Sequence, residues 1–171
     1  KWQHNETEDA LHVKINDMEC KEYKQDKSNE RWKAYVCDGN KETLSMDDFT
    51  FKCSIGKNGI KTQKKEGDKT TPRGTFSLGK LYYRADRVEK PITQINTRII
   101  SKGMGWCDDP KSSLYNKELI INDKIKHEKL FKKDNSYDYF IVINYNTKNI
   151  KQNKGSAIFI HLTKNYKKTA G

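Results

Sequence analysis

The sequence has 171 residues, enough for one domain with a hydrophobic core, and no internal repeat asks for more. Its 34 basic and 23 acidic residues give a net charge of +11, which favours anionic partners such as nucleic acid, an envelope polymer or acidic lipid headgroups. Lysine greatly outnumbers arginine, the residue best suited to base edges and phosphates, and this argues against nucleic acid. No apolar run approaches the roughly 20 residues of a membrane-spanning helix, so no span is expected.

The cysteines bear on metal binding and on the cellular compartment. No two of them form a CxxC pair, and the histidines lack zinc-finger spacing, so we do not expect a metal site. The chain begins with lysine rather than methionine, and we expect that a leader has been removed. An even number of cysteines then favours disulfides in an oxidising compartment. The candidates are Cys20, Cys37, Cys53 and Cys107.

Residues 1–47 are predicted to supply strands to the same domain that residues 48–171 form. Residues 11–15 alternate apolar with polar side chains, which is typical of a strand. Residues 32–37 predict a second strand, and the Asp-Gly-Asn at 38–40 is a strong turn signal that ends it. A charged connection lies between these two strands.

Residues 48–55 form the clearest predicted strand. Its apolar side chains all face one way and its polar side chains face the other. If this strand pairs directly with the strand at 32–37, Cys37 and Cys53 come close together, although the sequence leaves the register open.

The next segment combines proline and glycine at the start of a strand. A turn at residues 56–59 and a long polar loop lead into Thr-Pro-Arg-Gly-Thr-Phe at 71–76. Proline fixes φ and Gly74 allows close approach of the backbone, so we expect a turn followed by a strand that continues to residue 83. Residues 93–101 predict a further strand.

Two adjacent carboxylates, Asp108 and Asp109, follow Trp106 and Cys107. Neighbouring residues in an extended segment point to opposite sides, so these carboxylates are not expected to form an acid/base pair or a cation site. A turn in which aspartate caps the backbone before Pro110 is the better interpretation. Nearby negative charge also disfavours a thiolate, so Cys107 is not expected to be a nucleophile.

The second half of the chain predicts one helix and one hairpin. Residues 125–133 have the best helical character, with Leu130 and Phe131 available for burial. Residues 139–145 form an apolar strand that is expected to pair with residues 155–161 in a hairpin at the centre of the sheet. The expected fold is therefore mainly β, a sandwich or mixed sheet with one or two short helices.

The last strand carries the candidate catalytic side chain. Alternation places Ala157, Phe159 and His161 on one face of the strand, with two isoleucines on the other. His161 therefore lies where the strand ends and a polar loop begins, a usual position for a working side chain. On the local pattern alone, a histidine that closes the strand with a hydrogen bond is the simpler interpretation.

Three sequence blocks occur in order and change that interpretation. Lys-Glu-Gly-Asp and Thr-Pro-x-Gly-x-Phe lie at 65–76, Trp-Cys-Asp-Asp-Pro and Tyr-Asn lie at 106–116, and His161 is followed by Thr-Ala-Gly at 169–171. Together they resemble the L,D-transpeptidase catalytic domain, the YkuD-like family, in a divergent branch. The resemblance covers the chain from about residue 48 and implies a β-rich domain with its cleft beside the histidine.

The resemblance also implies a reaction, namely acyl transfer on peptidoglycan stem peptides in a secreted or periplasmic location, without a cofactor. His161 would be the base, and the backbone of Thr169, Ala170 and Gly171 would lie beside a nucleophilic cysteine. The family's cysteine directly follows that block, so we expect this chain to stop one residue short of it and to be inactive by itself. On the substrate side, the resemblance implies roles for Trp106, Tyr115, Arg73 and Asp109.

Three functions are therefore open. The first is a peptidoglycan L,D-transpeptidase or L,D-carboxypeptidase. The second is an inactive domain of the same fold that binds stem peptides or another anionic envelope polymer, or serves as a structural component. The third is a basic nucleic-acid-binding β domain, which predicts steep salt dependence and exposed aromatic residues. The codon after Gly171 separates the first function from the second.

Overall fold

The computed structural model describes residues 12–16, 34–38, 42–46, 49–163 and 165–170. Their regular structure is almost entirely β, with a 3-10 turn at Asn135–Tyr137. The mainly β fold expected from the sequence is thus confirmed. In chain order, the strands are β1 (His12–Asn16), β2 (Ala34–Asp38), β3 (Thr43–Met46), β4 (Phe49–Lys52), β5 (Ile60–Lys61), β6 (Thr71–Pro72), β7 (Gly74–Tyr83), β8 (Thr97–Ile99), β9 (Met104–Cys107), β10 (Glu118–Ile120), β11 (His127–Lys129), β12 (Tyr139–Ile143) and β13 (Phe159–His161).

Most of these strands belong to one mixed sheet of eight strands. Its order is β13-β12-β7-β1-β2-β3-β4, and β8 lies beside β7. The pairs β1–β2 and β7–β8 are parallel, and the other pairs are antiparallel. A small antiparallel sheet, β10-β9-β11, and the parallel pair β5–β6 lie outside it. Strands from before residue 48 therefore share a sheet with strands that follow it.

The long strand β7 joins the two halves of the main sheet. Its first half pairs with β1, from Gly74 opposite Ile15 to Ser77 opposite His12, and its second half pairs with β12. Gly74 has a φ of +150°, and a Cβ at this position would lie 2.7 Å from Cζ of Phe76. Only glycine fits there, which is the structural reason for the Thr-Pro-x-Gly-x-Phe pattern.

The part of the sheet that contains β7, β12 and β13 buries side chains on both faces. On one face Phe140 stacks on Tyr82, with ring centroids 4.7 Å apart, and also contacts Phe159. Trp106 of β9 packs edge-on against Phe159, so the small sheet covers this aromatic core. The opposite face carries a smaller, mainly aliphatic core around Ile158. Aromatic burial of this kind is a major source of stability, and it fixes β13 against its neighbours.

The predicted helix at residues 125–133 is wrong. The structure has strand β11 there, which pairs antiparallel with β9 and places His127 opposite Cys107. Leu130, directly after β11, is completely buried. The local composition favours a helix, but main-chain pairing with β9 and the burial of Leu130 are tertiary interactions that override it.

The predicted hairpin is confirmed, although its position in the sheet is not. Strand β12 pairs antiparallel with β13, with Phe140 opposite His161. Strand β13 is, however, the first strand in the sheet order, so among the described residues it lies at the edge of the sheet rather than at the centre. One side of the strand that ends in His161 therefore stays free of strand pairing within the described ranges.

Candidate active site

His161 lies at the end of β13, as predicted. Phe159, two residues earlier, packs in the aromatic core, and the imidazole on the same face contacts Tyr137 edge-on with ring centroids 5.2 Å apart. Ile160 packs against the aliphatic core on the opposite face. The alternation predicted from the sequence is therefore confirmed, and the half-buried ring has rigid support behind it.

One hydrogen bond determines which imidazole nitrogen is available for chemistry. Nδ1 of His161 lies 2.7 Å from the carbonyl oxygen of Leu162. Because a carbonyl oxygen can only accept, Nδ1 carries the proton and the neutral ring has its lone pair on Nε2. In this tautomer His161 can accept a proton at Nε2, as a general base must.

Main-chain hydrogen bonds hold the tail that follows the loop. The N–H of Thr169 donates to the carbonyl of Ile55 at 3.1 Å, and the N–H of Lys57 donates to the carbonyl of Thr169 at 3.0 Å. This parallel bridge aligns Thr169 with Gly56. Gly56 is buried, and a Cβ on it would lie 2.5 Å from the carbonyl oxygen of Lys69. The residue that pairs with Thr169 must therefore be glycine, because it lies against the backbone of Lys69 and Thr70.

The imidazole and the tail line one cavity of about 330 Å³. Its walls include Tyr137, His161, Thr169 and Ala170. The structure thus brings together His161 and two of the three tail residues that the sequence analysis grouped with it. The third, Gly171, lies outside the described residues. The volume is at the lower end of the roughly 300–1,000 Å³ that is typical of ligand sites.

Two arginines hold one wall of this cavity. Arg84 is 2% exposed, and its guanidinium donates to the two carboxylate oxygens of Asp86, at 2.8 and 2.7 Å, and to the carbonyl of Lys132 at 2.7 Å. Arg87 donates to Oδ1 of Asp138 at 3.1 Å. The sequence analysis missed both residues, because charged side chains in a loop are usually solvated and nothing in the local pattern marks these as different.

Tyr137 supports the imidazole from the core side. Its side chain is buried, and its hydroxyl donates to Oε1 of Glu128 at 3.2 Å. Burial, together with the negative charge of Glu128, raises the pKa of Tyr137 far above its usual range. The phenol therefore stays protonated, and Tyr137 positions His161 without exchanging protons itself.

The polar loop before β6 is anchored rather than solvated. Lys64 is only 4% exposed, and its ammonium donates to Oδ1 of Asp68 at 2.9 Å and to the carbonyl of Thr70 at 2.6 Å. Asp68 also accepts from the N–H of Lys65 at 2.8 Å and from the N–H and hydroxyl of Thr70. The stem of Lys64 packs closely against Gly155, where a Cβ would lie 2.9 Å from Cε of Lys64.

We expect Asp68→Asn to lower the free energy of unfolding by about 3 kcal/mol at pH 7, because Lys64 would keep a buried charge without its counter-charge. Burial alone would raise the pKa of Asp68, but hydrogen bonds from Lys65, Lys64 and Thr70 outweigh it and hold that pKa well below its usual value of 3.8. The contribution of the carboxylate is therefore complete above pH 3.8 and is lost as the pH falls through the lower pKa of the folded state.

Denaturant titrations between pH 7 and pH 2 check this prediction. The difference between wild type and Asp68→Asn should shrink at the acid end of that range. Asp123→Asn, at an exposed aspartate, is the matched control and should change the free energy of unfolding by less than about 0.5 kcal/mol. Equal stability of wild type and Asp68→Asn at pH 7 would contradict the assigned role.

Trp106 and Tyr115 lie in the interior, with 6% and 1% of their surface exposed. The hydroxyl of Tyr115 donates to Oε2 of Glu66 at 2.5 Å and accepts from the N–H of Gly155 at 2.9 Å. The hydroxyl of Ser156 donates to the same oxygen of Glu66 at 2.8 Å. Both rings fill the core, and Tyr115 attaches the polar loop to the segment that leads to the last strand, while their role on the substrate side stays a prediction.

Asn116 joins three parts of the structure. Its Nδ2 donates to the carbonyls of Tyr145 and Asn146, at 3.1 and 2.8 Å. Its Oδ1 accepts from Nε1 of Trp106 at 2.9 Å and from the N–H of Ala157 at 3.1 Å. The residue has a φ of +56°, in the left-handed region that asparagine tolerates better than most residues. This one buried amide therefore fixes the start of the segment that leads to the imidazole.

The two adjacent carboxylates act separately, as predicted. Oδ1 of Asp109 accepts from the N–H of Lys111 at 3.0 Å, which is the local cap that the sequence favoured. Asp108 instead forms an ion pair with Lys126 at 3.3 Å. Asp109 and Arg73, both predicted on the substrate side, are not among the residues that line the cavity beside the imidazole.

The cysteines do not form the pair that the sequence suggested. Strand β3, which the sequence analysis did not predict, lies between β2, which contains Cys37, and β4, which ends just before Cys53. Two strand spacings amount to roughly 9–10 Å, which exceeds the reach of a disulfide. Cys107 is a completely buried free thiol, in agreement with its exclusion as nucleophile. Cys20 lies outside the described residues, and a disulfide that involves it stays a prediction.

The cavity offers imidazole, hydroxyl and ammonium groups from its own side chains. Within the described ranges, no cluster of three or more His, Cys, Asp or Glu side chains could hold a metal ion. The same part of the chain contains no helix with the length and apolar character that crossing a membrane requires.

The comparison with protein families covers nearly the whole chain. The family model YkuD, described as the L,D-transpeptidase catalytic domain, matches residues 16–171. The match begins at the end of β1, earlier than the resemblance alone predicted, and it includes every wall of the cavity. No curated protein and no solved structure matches the chain. The chain therefore belongs to the L,D-transpeptidase catalytic domain family.

Proposed function

We propose that the native protein is a peptidoglycan L,D-transpeptidase or L,D-carboxypeptidase that acts by cysteine acyl transfer on stem peptides. Family membership supports this reaction class. The observation that carries the proposal is the cavity that His161, with its Nε2 lone pair available, shares with Thr169 and Ala170. In the family pattern the cysteine directly follows Ser/Thr-x-Gly, so we infer that it follows Gly171 in the native protein.

In the first proposed step, Nε2 of His161 accepts the proton of the thiol, and the thiolate sulfur bonds to a carbonyl carbon of the stem peptide. The tetrahedral intermediate then collapses. Its C–N bond breaks, the imidazolium returns the proton to the departing amine, and the terminal D-amino acid leaves. The product is a thioester between the cysteine and the shortened stem.

In the second step, an amine or a water molecule attacks the thioester, and His161 takes a proton from this nucleophile and passes it to the departing thiolate. An amine acceptor yields a cross-link, and water yields a free shortened stem. The transpeptidase and carboxypeptidase versions of the proposal therefore share one acyl-enzyme and differ only in the acceptor.

The developing oxyanion needs N–H donors beside the nucleophile. The N–H of Thr169 already donates to the carbonyl of Ile55. The proposal therefore takes its donors from the main chain that follows Thr169, beginning with the N–H of Ala170. In this proposal, the bridge between Gly56 and Thr169 has the function of holding the start of that segment in place.

A peptidoglycan substrate implies a location in the cell envelope, secreted or periplasmic, and we include that location in the proposal. The main alternative is a domain of the same family without the cysteine, which would keep the cavity for binding a stem peptide or another anionic envelope polymer. The residue encoded after Gly171 separates these two functions directly.

Labelling with a carbapenem tests the proposal on the full-length protein. A carbapenem is expected to add one covalent adduct, and mass spectrometry of the digested protein should locate it on the cysteine after Gly171. Cys107→Ala, which removes the buried free thiol, is the control and should retain the adduct. If full-length protein with that cysteine is neither acylated nor active on muropeptides, the proposed function is wrong.

A further inference from the structure

The residues that line the cavity come from two segments that face each other. One wall is formed by residues 161–170, and the other belongs to the loop between β11 and β12, residues 132–138, which we call the wall loop. Ser136 and Tyr137 of the wall loop line the cavity and lie in its 3-10 turn. The position of this turn therefore determines where the ring of Tyr137 meets the imidazole of His161.

Arg87 holds both ends of that turn. Its Nη1 donates to the carbonyl oxygen of Asp134 at 3.0 Å and to Oδ1 of Asp138 at 3.1 Å. Asp134 is the N-cap of the turn and Asp138 is its C-cap. Nη2 of the same guanidinium donates to the carbonyl oxygen of Lys133 at 2.9 Å. One planar group thus connects three points of the wall loop, on either side of the residues that line the cavity.

The segment that carries Arg87 is itself anchored. The N–H of Arg87 donates to the carbonyl of Arg84 at 2.8 Å, and the N–H of Arg84 donates to the carbonyl of Asp138 at 3.0 Å. The guanidinium of Arg84 lies 3.4 Å from the ring centroid of Phe131 and donates to the carbonyl of Lys132. The side chain of Arg84 is buried, whereas that of Arg87 is 30% exposed. Arg87 can therefore be replaced with less damage to the core.

The imidazole depends on the opposite wall for its orientation. The hydrogen bond of its Nδ1 goes to Leu162, the next residue of the same segment. This bond selects the tautomer, but it does not fix His161 relative to the rest of the fold. The edge contact with Tyr137, with centroids 5.2 Å apart, joins the imidazole to the wall loop.

We propose that Arg87 is a positioning residue for the general base. By holding the turn, it fixes the ring of Tyr137 and, through that ring, the direction of the imidazole of His161. The inference rests on the proposed function and adds a residue that acts on the reaction from outside the cavity. Arg87 does not line the cavity. Its replacement should therefore slow the proton transfer, which requires exact placement, and should leave ligand binding almost unchanged.

Arg87→Lys tests the proposal in the full-length protein, because lysine keeps the positive charge and loses the planar fork. The maximal rate of acylation by a saturating carbapenem should fall about tenfold, and the half-saturating concentration should change by less than about twofold. Arg98→Lys is the matched control, since Arg98 also pairs with a carboxylate, that of Glu118, and does not line the cavity. This control should leave both quantities unchanged.

A double-mutant cycle tests whether the effect passes through Tyr137. In a Tyr137→Leu background, which lacks the aromatic ring, Arg87→Lys should slow acylation by less than about twofold further. In a Tyr137→Phe background, which keeps the ring, the full effect of Arg87→Lys should remain. The NMR resonances of the His161 ring protons provide a measurement that needs neither nucleophile nor substrate. Arg87→Lys should shift them and leave those of His127 in place.

The proposal is overturned if Arg87→Lys acylates at the wild-type rate, or if its loss appears in the half-saturating concentration instead. Unchanged His161 resonances in Arg87→Lys also overturn it, as does an equal effect of this variant with and without the ring of Tyr137. Failure of the proposed function looks different, because the wild-type protein itself would then not be acylated. In that case the His161 resonances alone decide whether Arg87 positions the imidazole.

Discussion

Replacing His161 with glutamine is expected to slow acylation of the full-length protein by a carbapenem by a factor of about 10²–10⁴, the usual contribution of a positioned general base. Glutamine has no basic nitrogen that could take the thiol proton, whereas the imidazole presents the lone pair of Nε2. The measurement is the second-order rate constant of adduct formation, followed by intact-protein mass spectrometry.

The chain offers a matched control for this variant in His127. Its imidazole is also half-buried, and its Nδ1 lies 2.6 Å from a backbone carbonyl oxygen, that of Ile125. It does not line the cavity, so His127→Gln should leave the acylation rate within about twofold. His161→Gln itself should lower the free energy of unfolding by only about 1 kcal/mol, because it loses the edge contact between His161 and Tyr137. An acylation rate for His161→Gln close to that of wild type would remove the imidazole from the mechanism.

Replacing Asn116 with alanine is expected to lower the free energy of unfolding by about 4 kcal/mol, the largest stability effect that the structure predicts. The change leaves the buried donor of Trp106, the part-buried donor of Ala157 and two part-buried carbonyl acceptors without their partner. Each such loss costs roughly 1–3 kcal/mol where water cannot enter, and less where it can. Chemical denaturation monitored by tryptophan fluorescence measures the effect, since Trp106 is one of the partners.

Part of that loss comes from the backbone rather than from the hydrogen bonds, because alanine tolerates a positive φ poorly. Asn149→Ala isolates the backbone part. Asn149 has a φ of +51°, but its side chain is exposed. This control should lose only about 1 kcal/mol. If Asn149→Ala and Asn116→Ala are equally destabilised, the hydrogen bonds of Asn116 contribute little and the assigned role is wrong.

The local sequence pattern correctly predicted a strand whose two faces pack against two different cores. Phe159 and Ile160 alternate between an aromatic and an aliphatic core, so the period of two was visible in the sequence and placed His161 correctly. The same reasoning failed for β11. Its residues His127, Glu128 and Lys129 are polar and take their conformation from pairing with β9, which no local signal reveals.

The buried charged residues that hold the loops around the site were harder to predict than His161 itself. Lys64 and Arg84 occur in charged segments that resemble solvated loops, yet both side chains are almost completely buried. Their burial depends on partners brought close by the fold, such as Asp68 for Lys64 and the carbonyl of Lys132 for Arg84. For Trp106 and Tyr115 the resemblance implied roles on the substrate side but not their burial, since an aromatic residue near a motif fits a cleft and a core equally well.

The bridge between Thr169 and Gly56 has a consequence for the growing chain on the ribosome. The cavity takes its walls from residues between Lys132 and Ala170, and its tail is aligned by a segment made much earlier. Contacts so distant in sequence form late, because the intervening chain must first be ordered. The bridge that aligns the tail therefore forms only after Thr169 has been synthesised and the intervening chain has been ordered, so the cavity is among the last parts of the described fold to be completed.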